Sequence, residues 1–375
     1  MYHLESENQY NFWIMNKDES LEIKKVLVIR MSSIGDVILT SPLIRELRRA
    51  YPDVQIDFLV RSEYVDLVKY DKNLSYIYQY DVKTKWKGLR ALKSFIREQD
   101  YDIIMDLHSN FRSFYLRSFS PQPLILKVNK NLFLRFLLIK FKINLYKKFY
   151  GEALSVAQKY LRAGGNFDYS KSSLKLKLSL PRKISQKGKI IWKSLEDENF
   201  RVIVAPGARH QTKRWPLEYY IELILKIYHQ YGWNSLLVGS FEEILLIKDI
   251  QKQVGNGITE ITAGDISLIE TASLIKQAPL FISNDSGLMH VAAAYRKPQI
   301  AIFGSTTKEL GFFPLNPKAV IVESLELRCR PCTHIGREAC PKKHFKCMKE
   351  VTPEMVFSVF QKMVEQNKLQ PLKTL

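Results

Sequence analysis

The chain opens a buried strand twice. Val26 to Ile29 is an unbroken run of β-branched residues and Leu, and Val202 to Ala205 starts the same scheme again in the second half. Each run passes directly into a loop and then into apolar residues at helical spacing. A strand wetted on one face alternates, whereas an unbroken run is buried on both faces, as in parallel sheets covered by helices. Ile56 to Val60 and Ile103 to Leu107 continue the pattern, with a helical stretch from Lys87 to Glu98 between them. Ser235 to Val238, Leu280 to Ser283 and Gln299 to Phe303 do the same further on. The expected class is α/β, doubly wound from βαβ units.

A length of 375 residues with 46% hydrophobic content supports two cores rather than one. The pattern weakens into a polar stretch from Pro181 to Asn199, and the boundary is expected there. The organisation read from the chain is an extension over residues 1–22, a first domain over 23–185, a second over 186–350 and a terminal segment over 351–375. In that last segment Met355, Val356, Val359, Phe360 and Met363 recur at helical spacing, so Pro353 to Gln366 is expected to be a helix.

Lys and Arg number 57 against 38 Asp and Glu, a net charge of +19 that exceeds the needs of solubility. It points to a polyanionic partner: nucleic acid, an anionic membrane or a phosphorylated substrate. No apolar run approaches the roughly 18 residues that cross a bilayer, and the first residues lack the charged and apolar regions of a signal peptide. A cytosolic location is expected. The four cysteines all fall between Cys329 and Cys347, which fits a reducing compartment better than a secreted disulfide framework.

Three loops carry chemistry. The first, Arg30-Met-Ser-Ser-Ile-Gly-Asp36, follows the first strand, where open α/β sheets bind ligands. Asp36 there reads equally as a general base or as a cap of the next helix, and a helix N-terminus lowers the basicity that a base needs. Pro42 suits the first turn of a helix capped at Ser41, or kinks one begun at Asp36. The second, Pro206-Gly-Ala-Arg-His-Gln-Thr-Lys-Arg-Trp-Pro216, offers backbone amides, Lys213 and Arg214 to a diphosphate, without the spacing of a Walker loop. An ordinary solvated loop is the alternative. The third, Phe281-Ile-Ser-Asn-Asp-Ser-Gly-Leu-Met-His290, places Ser286, Gly287 and Leu288 at a helix start, where the dipole favours phosphate. His290 reads either as part of that site or as a satisfied core histidine.

Taken in this order and spacing, VLVIRMSSIGDVILTSPLIREL, IVAPGARHQTKRWPLEYY, AGDISLIETASLIKQAPLFISNDSGLMHVAAA and IAIFGSTT resemble the bacterial heptosyltransferases of glycosyltransferase family 9, over nearly the whole chain after residue 23. The resemblance implies a GT-B fold, two Rossmann-like domains facing across a cleft, with the last helix crossing back onto the first. It also implies an ADP-heptose donor, no required cofactor, and an inverting, metal-independent transfer to a sugar hydroxyl of the lipopolysaccharide core. On the matching positions it makes Asp36 the catalytic base and assigns the donor to Lys213, Asp285, Ser286, Gly287, Leu288 and His290; Thr212 and Arg209, in the same loop as Lys213, are further donor-binding candidates. On that resemblance Glu242 would hold the ribose and Ile266 would pack on adenine; Ser33 and Arg112 are taken separately as acceptor-binding candidates. Ala208 and Arg209 stand where the heptosyltransferase I type has two threonines.

From Leu107 to Gly151 there is no carboxylate, while nine Lys and Arg alternate with apolar residues such as LFLRFLLIKF. Such a segment suits an anionic cytoplasmic membrane surface or a phosphorylated, lipid-linked glycan acceptor; the plain alternative is a core helix with a basic solvated face. Peripheral association with the inner membrane is the expectation, and no nucleic-acid motif accompanies the charge. Cys329, Cys332, Cys340 and Cys347 read first as buried free thiols and second as a structural zinc site. The rival functions are another nucleotide-sugar transferase of cell-envelope glycan synthesis and a non-catalytic, basic membrane- or nucleic-acid-binding protein. Asp36 and Lys213 together favour catalysis.

Overall fold

The computed structural model describes residues 23–119, 121, 123–164, 174–255 and 257–369, so the expected extension over 1–22 lies outside the described residues. The chain divides into two compact units, Met1–Asn131 with Ser155–Ser179, and Leu132–Leu154 with Leu180–Leu375.

The first unit runs β1 (Lys25–Ile29), α1 (Ile34–Ile38), α2 (Ser41–Ala50), β2 (Gln55–Arg61), β3 (Tyr76–Tyr80), α3 (Lys85–Glu98), β4 (Ile103–Asp106), α4 (Phe111–Arg117) and β5 (Leu124–Lys127). All its strand pairs are parallel, in the order β3-β2-β1-β4-β5. The order reverses between β1 and β4, so the ends of these two strands flank the crevice where such sheets bind ligands. The central strand β1 is fully covered from Val26 to Ile29, as its unbroken apolar run requires. Pro42 lies in the first turn of α2, where its missing N–H has no helical partner to lose, so the chain forms two helices instead of one kinked one. Leu89 and Ile96 turn the buried face of α3 onto Leu27, Ile29 and Ile104 of the sheet.

The chain then contributes α5 (Leu132–Phe141) and α6 (Tyr146–Tyr150) to the second unit before returning to the first for α7 (Val156–Ala163). The second unit continues with α8 (Arg182–Asp197), β6 (Phe200–Ala205), α9 (Leu217–Tyr231), β7 (Asn234–Leu237), α10 (Ile244–Val254), β8 (Thr259–Ile261) and α11 (Leu268–Gln277). It ends with β9 (Leu280–Asn284), α12 (Gly287–Ala294), β10 (Gln299–Phe303), β11 (Ala319–Glu323), α13 (Lys346–Lys349) and α14 (Pro353–Gln366). Its parallel sheet is ordered β11-β10-β9-β6-β7-β8, and the reversal falls between β6 and β9.

The polar stretch from Pro181 to Asn199, at the expected boundary, forms the helix α8, which buries Trp192 and is tied to α11 by Ser273 Oγ donating to the Ile184 carbonyl at 3.0 Å and by Lys187 Nζ at 2.6 Å from Glu270. Its apolar residues are few because only one narrow face is covered. The terminal helix α14 belongs to the core of the second unit, where Phe360 meets Tyr231 and Trp233 edge-on at 5.3 and 5.7 Å. Truncating an aromatic ring so placed costs about 3–5 kcal/mol, so the tail is part of that unit's stability.

Candidate active site

In the first unit, Asp36 is held from four directions. Arg30, at the end of β1, brings Nη2 to 2.7 Å from Oδ1, while its Nη1 donates to the Leu107 carbonyl at 2.7 Å. The Tyr160 hydroxyl, on α7, donates to Oδ1 at 3.2 Å, and the Tyr160 ring lies 5.6 Å from the Arg30 guanidinium carbon. Ser33, the N-cap of α1, gives its backbone N–H and its hydroxyl to Oδ2 at 3.3 and 3.1 Å.

Burial opposes the Asp36 charge, but the Arg30 guanidinium and the Ser33 donors outweigh it and hold the carboxyl below the usual carboxylate range. Burial pushes the Tyr160 phenol well above its ordinary value, so it remains a donor. Asp36 is therefore a fixed carboxylate on the first turn of α1. It is the third helical residue of a capping box, not the N-cap, so its capping and charge-bearing roles coexist.

Beside this group the chain leaves β4 through Asp106, which is fully buried and accepts from Ser113 Oγ at 2.9 Å, Arg117 Nε at 3.0 Å and the Ser109 amide at 2.7 Å. Asp106 thereby fixes the turn that carries His108. Nδ1 of His108 is buried with no hydrogen-bond partner, and burial together with Arg30 and Lys130 pushes the imidazole down to about 3. Arg112 is exposed on α4 and acts on His108 through its charge.

In the second unit the loops after β6 and β9 are tied together at the sheet's switch point. Asn284 donates to the Pro206 carbonyl at 2.6 Å and accepts the Trp215 amide at 3.1 Å. Lys213 Nζ lies 2.7 Å from Asp285 Oδ2, and Thr306 Oγ1 donates to the same oxygen at 2.6 Å. Thr212 is buried and anchors the loop, its hydroxyl accepting the Arg337 amide at 2.8 Å. Ser286 caps α12 from an extended conformation, its hydroxyl buried and unpaired, and Gly287 and Leu288 follow at the helix start. His290 is buried on the same helix. An ion pair, a buried hydroxyl and the opening amides of α12 make this a seat suited to a phosphate-bearing ligand.

The other sequence-selected residues are placed less closely. Arg209 is exposed, and Arg214 turns back to donate to the Ala208 carbonyl at 2.7 Å. Glu242 is exposed; the neighbouring Glu243 is the carboxylate that lies against Gly207 in the loop after β6, accepting the Ser240 amide at 2.8 Å. A Cβ on Gly207 would stand 2.0 Å from Glu243 Oε1, so a larger residue there would push the Glu243 carboxylate from its present place. Ile266 is half-buried two residues beyond Gly264, against which the exposed ring of Phe241 lies.

The four cysteines are free thiols, with burial pushing Cys347 up to about 12. Cys329 Sγ is 3.9 Å from His344 Nε2, but among the described residues no three His, Cys, Asp or Glu side chains converge to hold a metal ion. Among the described residues, too, no helix is long and apolar enough to cross a membrane.

Sequence reasoning did not single out Tyr160, His108, Asn284 or Thr306. Tyr160 lies 124 residues from Asp36 on an amphipathic helix, where it reads as a core aromatic. Thr306 carried a signal, because IFGSTT repeats the scheme of a strand ending in a small polar turn.

The sequence model of Glycosyltransferase family 9 (heptosyltransferase) matches residues 89–343. The chain is 26% identical to lipooligosaccharide heptosyltransferase 2 of Campylobacter jejuni, over 92% of this chain and 100% of that protein. The crystal structure of a family 9 glycosyl transferase from Veillonella parvula superposes with a TM-score of 0.75 at 20% identity, covering 92% of this chain and 99% of that one. The E. coli ADP-heptose lps heptosyltransferase II gives 0.69 at 21% identity, with coverage of 92% and 99%. These two likenesses establish the fold, the GT-B class of paired Rossmann-like units.

Proposed function

The chain belongs to glycosyltransferase family 9, and we propose that it moves a heptose from ADP-heptose to a sugar hydroxyl of the lipopolysaccharide inner core, with inversion at the anomeric carbon. The observation that carries the reading is the seat built by Lys213, Asp285 and the start of α12, which supplies fixed positive charge and free amides to a departing diphosphate. In a single displacement the acceptor oxygen bonds to the anomeric carbon, the bond from that carbon to the β-phosphate oxygen breaks, and ADP leaves. The acceptor proton goes to Asp36. Because all four contacts to Asp36 are donors, an acceptor hydroxyl displaces one of the weaker ones, Ser33 N–H or Tyr160 O–H, to reach it.

In the second unit, the Thr212-Lys213 loop, Arg209, Asp285 and the Ser286-Gly287-Leu288 turn with His290 are assigned to the diphosphate side of the donor. Glu242 and Ile266 are assigned to its nucleoside, with Glu243 and Phe241 beside them. Ser33 and Arg112 face the acceptor, a phosphorylated, lipid-linked glycan used at the cytoplasmic face of the membrane. No metal is assigned to the chemistry. Lys213 stabilises the leaving group, a contribution of the kind worth about 3–4 kcal/mol in preorganised sites.

The test is to supply the purified chain with ADP-heptose and a panel of truncated core lipids, and to compare thermal stabilisation by ADP and UDP. Release of ADP coupled to a heptosylated lipid is expected. Stabilisation by UDP and not ADP would redirect the reading to another nucleotide sugar, and binding without turnover would redirect it to a non-catalytic protein.

A further inference from the structure

The hairpin of α5 and α6 has a narrow inner face and a wide apolar outer one. Inward, Leu138 and Tyr146 pack with Leu310, Lys142 Nζ donates to the Pro331 carbonyl at 2.6 Å, and Asn144 Nδ2 donates to Glu309 at 3.1 Å. Outward, Phe133, Phe136, Phe141 and Phe149 are 63, 50, 60 and 62% exposed, with Leu132 and Ile143 beside them in the sequence and also exposed. Phe133, Phe136 and Lys140 recur at helical spacing, so they share one face of α5. So much exposed aromatic surface in one segment is unusual for a soluble protein and marks an interaction site.

Charge decides what covers it. The hairpin from Leu132 to Gly151 carries Arg135, Lys140, Lys142, Lys147 and Lys148 and no acidic residue. Lys140, Lys147 and Lys148 are exposed among the outward rings. Rings that enter an acyl boundary, with cations at headgroup level, are the two signals that together give stable attachment to an anionic bilayer.

We propose that the α5–α6 hairpin is a membrane-docking element that inserts Phe133, Phe136, Phe141 and Phe149 into the interface of an anionic bilayer. Lys140, Lys147 and Lys148 hold it to the headgroups, whereas Lys142 is committed to the fold. The element rests on the lipid-linked acceptor proposed above for its purpose, but its test uses neither donor nor acceptor, so the two readings fail separately.

The full chain is sedimented with vesicles of phosphatidylethanolamine and phosphatidylglycerol, and separately with phosphatidylcholine alone. Selective binding to the anionic vesicles is expected. Lys140→Gln with Lys147→Gln and Lys148→Gln should weaken it about a hundredfold at low salt, roughly fivefold for each cation. Phe133→Ser with Phe136→Ser should weaken it at least about tenfold at any salt, with an unchanged melting temperature because both rings are already exposed. Equal binding to neutral vesicles, or vesicle binding by both variants at the parent level, overturns the proposal. So does a parent chain that self-associates in solution and becomes monomeric in the Phe variant while vesicle binding is unchanged, since the face then joins copies of the chain.

Discussion

Lys213 Nζ stands 2.7 Å from Asp285 Oδ2, closing an ion pair between the loop after β6 and the turn after β9. Both side chains are mostly buried, so removing one partner leaves a charge with little water around it, a loss of about 3–5 kcal/mol in such pairs. Lys213→Met should therefore lower stability in chemical denaturation and weaken ADP binding by calorimetry at least about tenfold. Lys213→Arg should keep more of the stability than of the affinity, because a planar fork does not replace a point charge. A Lys213→Met protein with parent stability would show that the pair does not join the two loops.

Arg30 sets the ionisation of Asp36. With its folded pKa below the unfolded value, Asp36 stabilises the protein above the ordinary carboxylate range, about pH 4, and loses that contribution as pH falls through the lower folded value. Arg30→Met removes the cation and leaves burial, which pushes the carboxyl upward. The acid limb of the transfer rate, measured on the folded protein, should then move to higher pH. A limb that stays in place would mean another group titrates there.

The sequence revealed the sheet centres and not the edges. β1, β4, β6, β9 and β10 are covered on both faces and appear as unbroken apolar runs. β3, β5, β8 and β11 are short or half-wet, so the polar residues in Tyr76–Tyr80 and Thr259–Ile261 hide them. The loop residues Asp36, Lys213 and Asp285 could be picked out as candidates because each follows a strand end or lies in the loop that does. Tyr160 could not, since nothing local tells a helix aromatic that packs from one that also donates to a distant carboxylate. Glu242 and Glu243 could not be told apart in position, because two adjacent acids on one turn differ only in the direction each side chain takes.

His108 makes a separate prediction for acid stability. Burial and the nearby cations hold its folded pKa down to about 3, below the ordinary imidazole value of 6.5, so the unfolded chain binds the proton more tightly. Stability attributable to His108 is complete above about pH 6.5 and falls as pH drops from there toward 3. His108→Gln should flatten this part of the denaturation-midpoint profile. A profile of unchanged slope would mean that His108 protonates freely in the folded protein.

Asp36→Asn is less simple than its small change of shape suggests. The amide keeps an acceptor for Ser33, but it leaves the Arg30 guanidinium buried against a neutral group, so stability should fall along with activity. Loss of a general base costs about 10²- to 10⁴-fold in rate, and a fold that is merely loosened costs rate only through the fraction unfolded. Arg30→Met combined with Asp36→Asn separates the two, because it removes both charges and should recover much of the stability lost by Asp36→Asn alone. The double variant should still bind ADP at the second unit and still transfer heptose at least about a hundredfold more slowly than the parent. If transfer returns with stability, Asp36 serves the architecture of the β1 loop, and the proton is taken by another group.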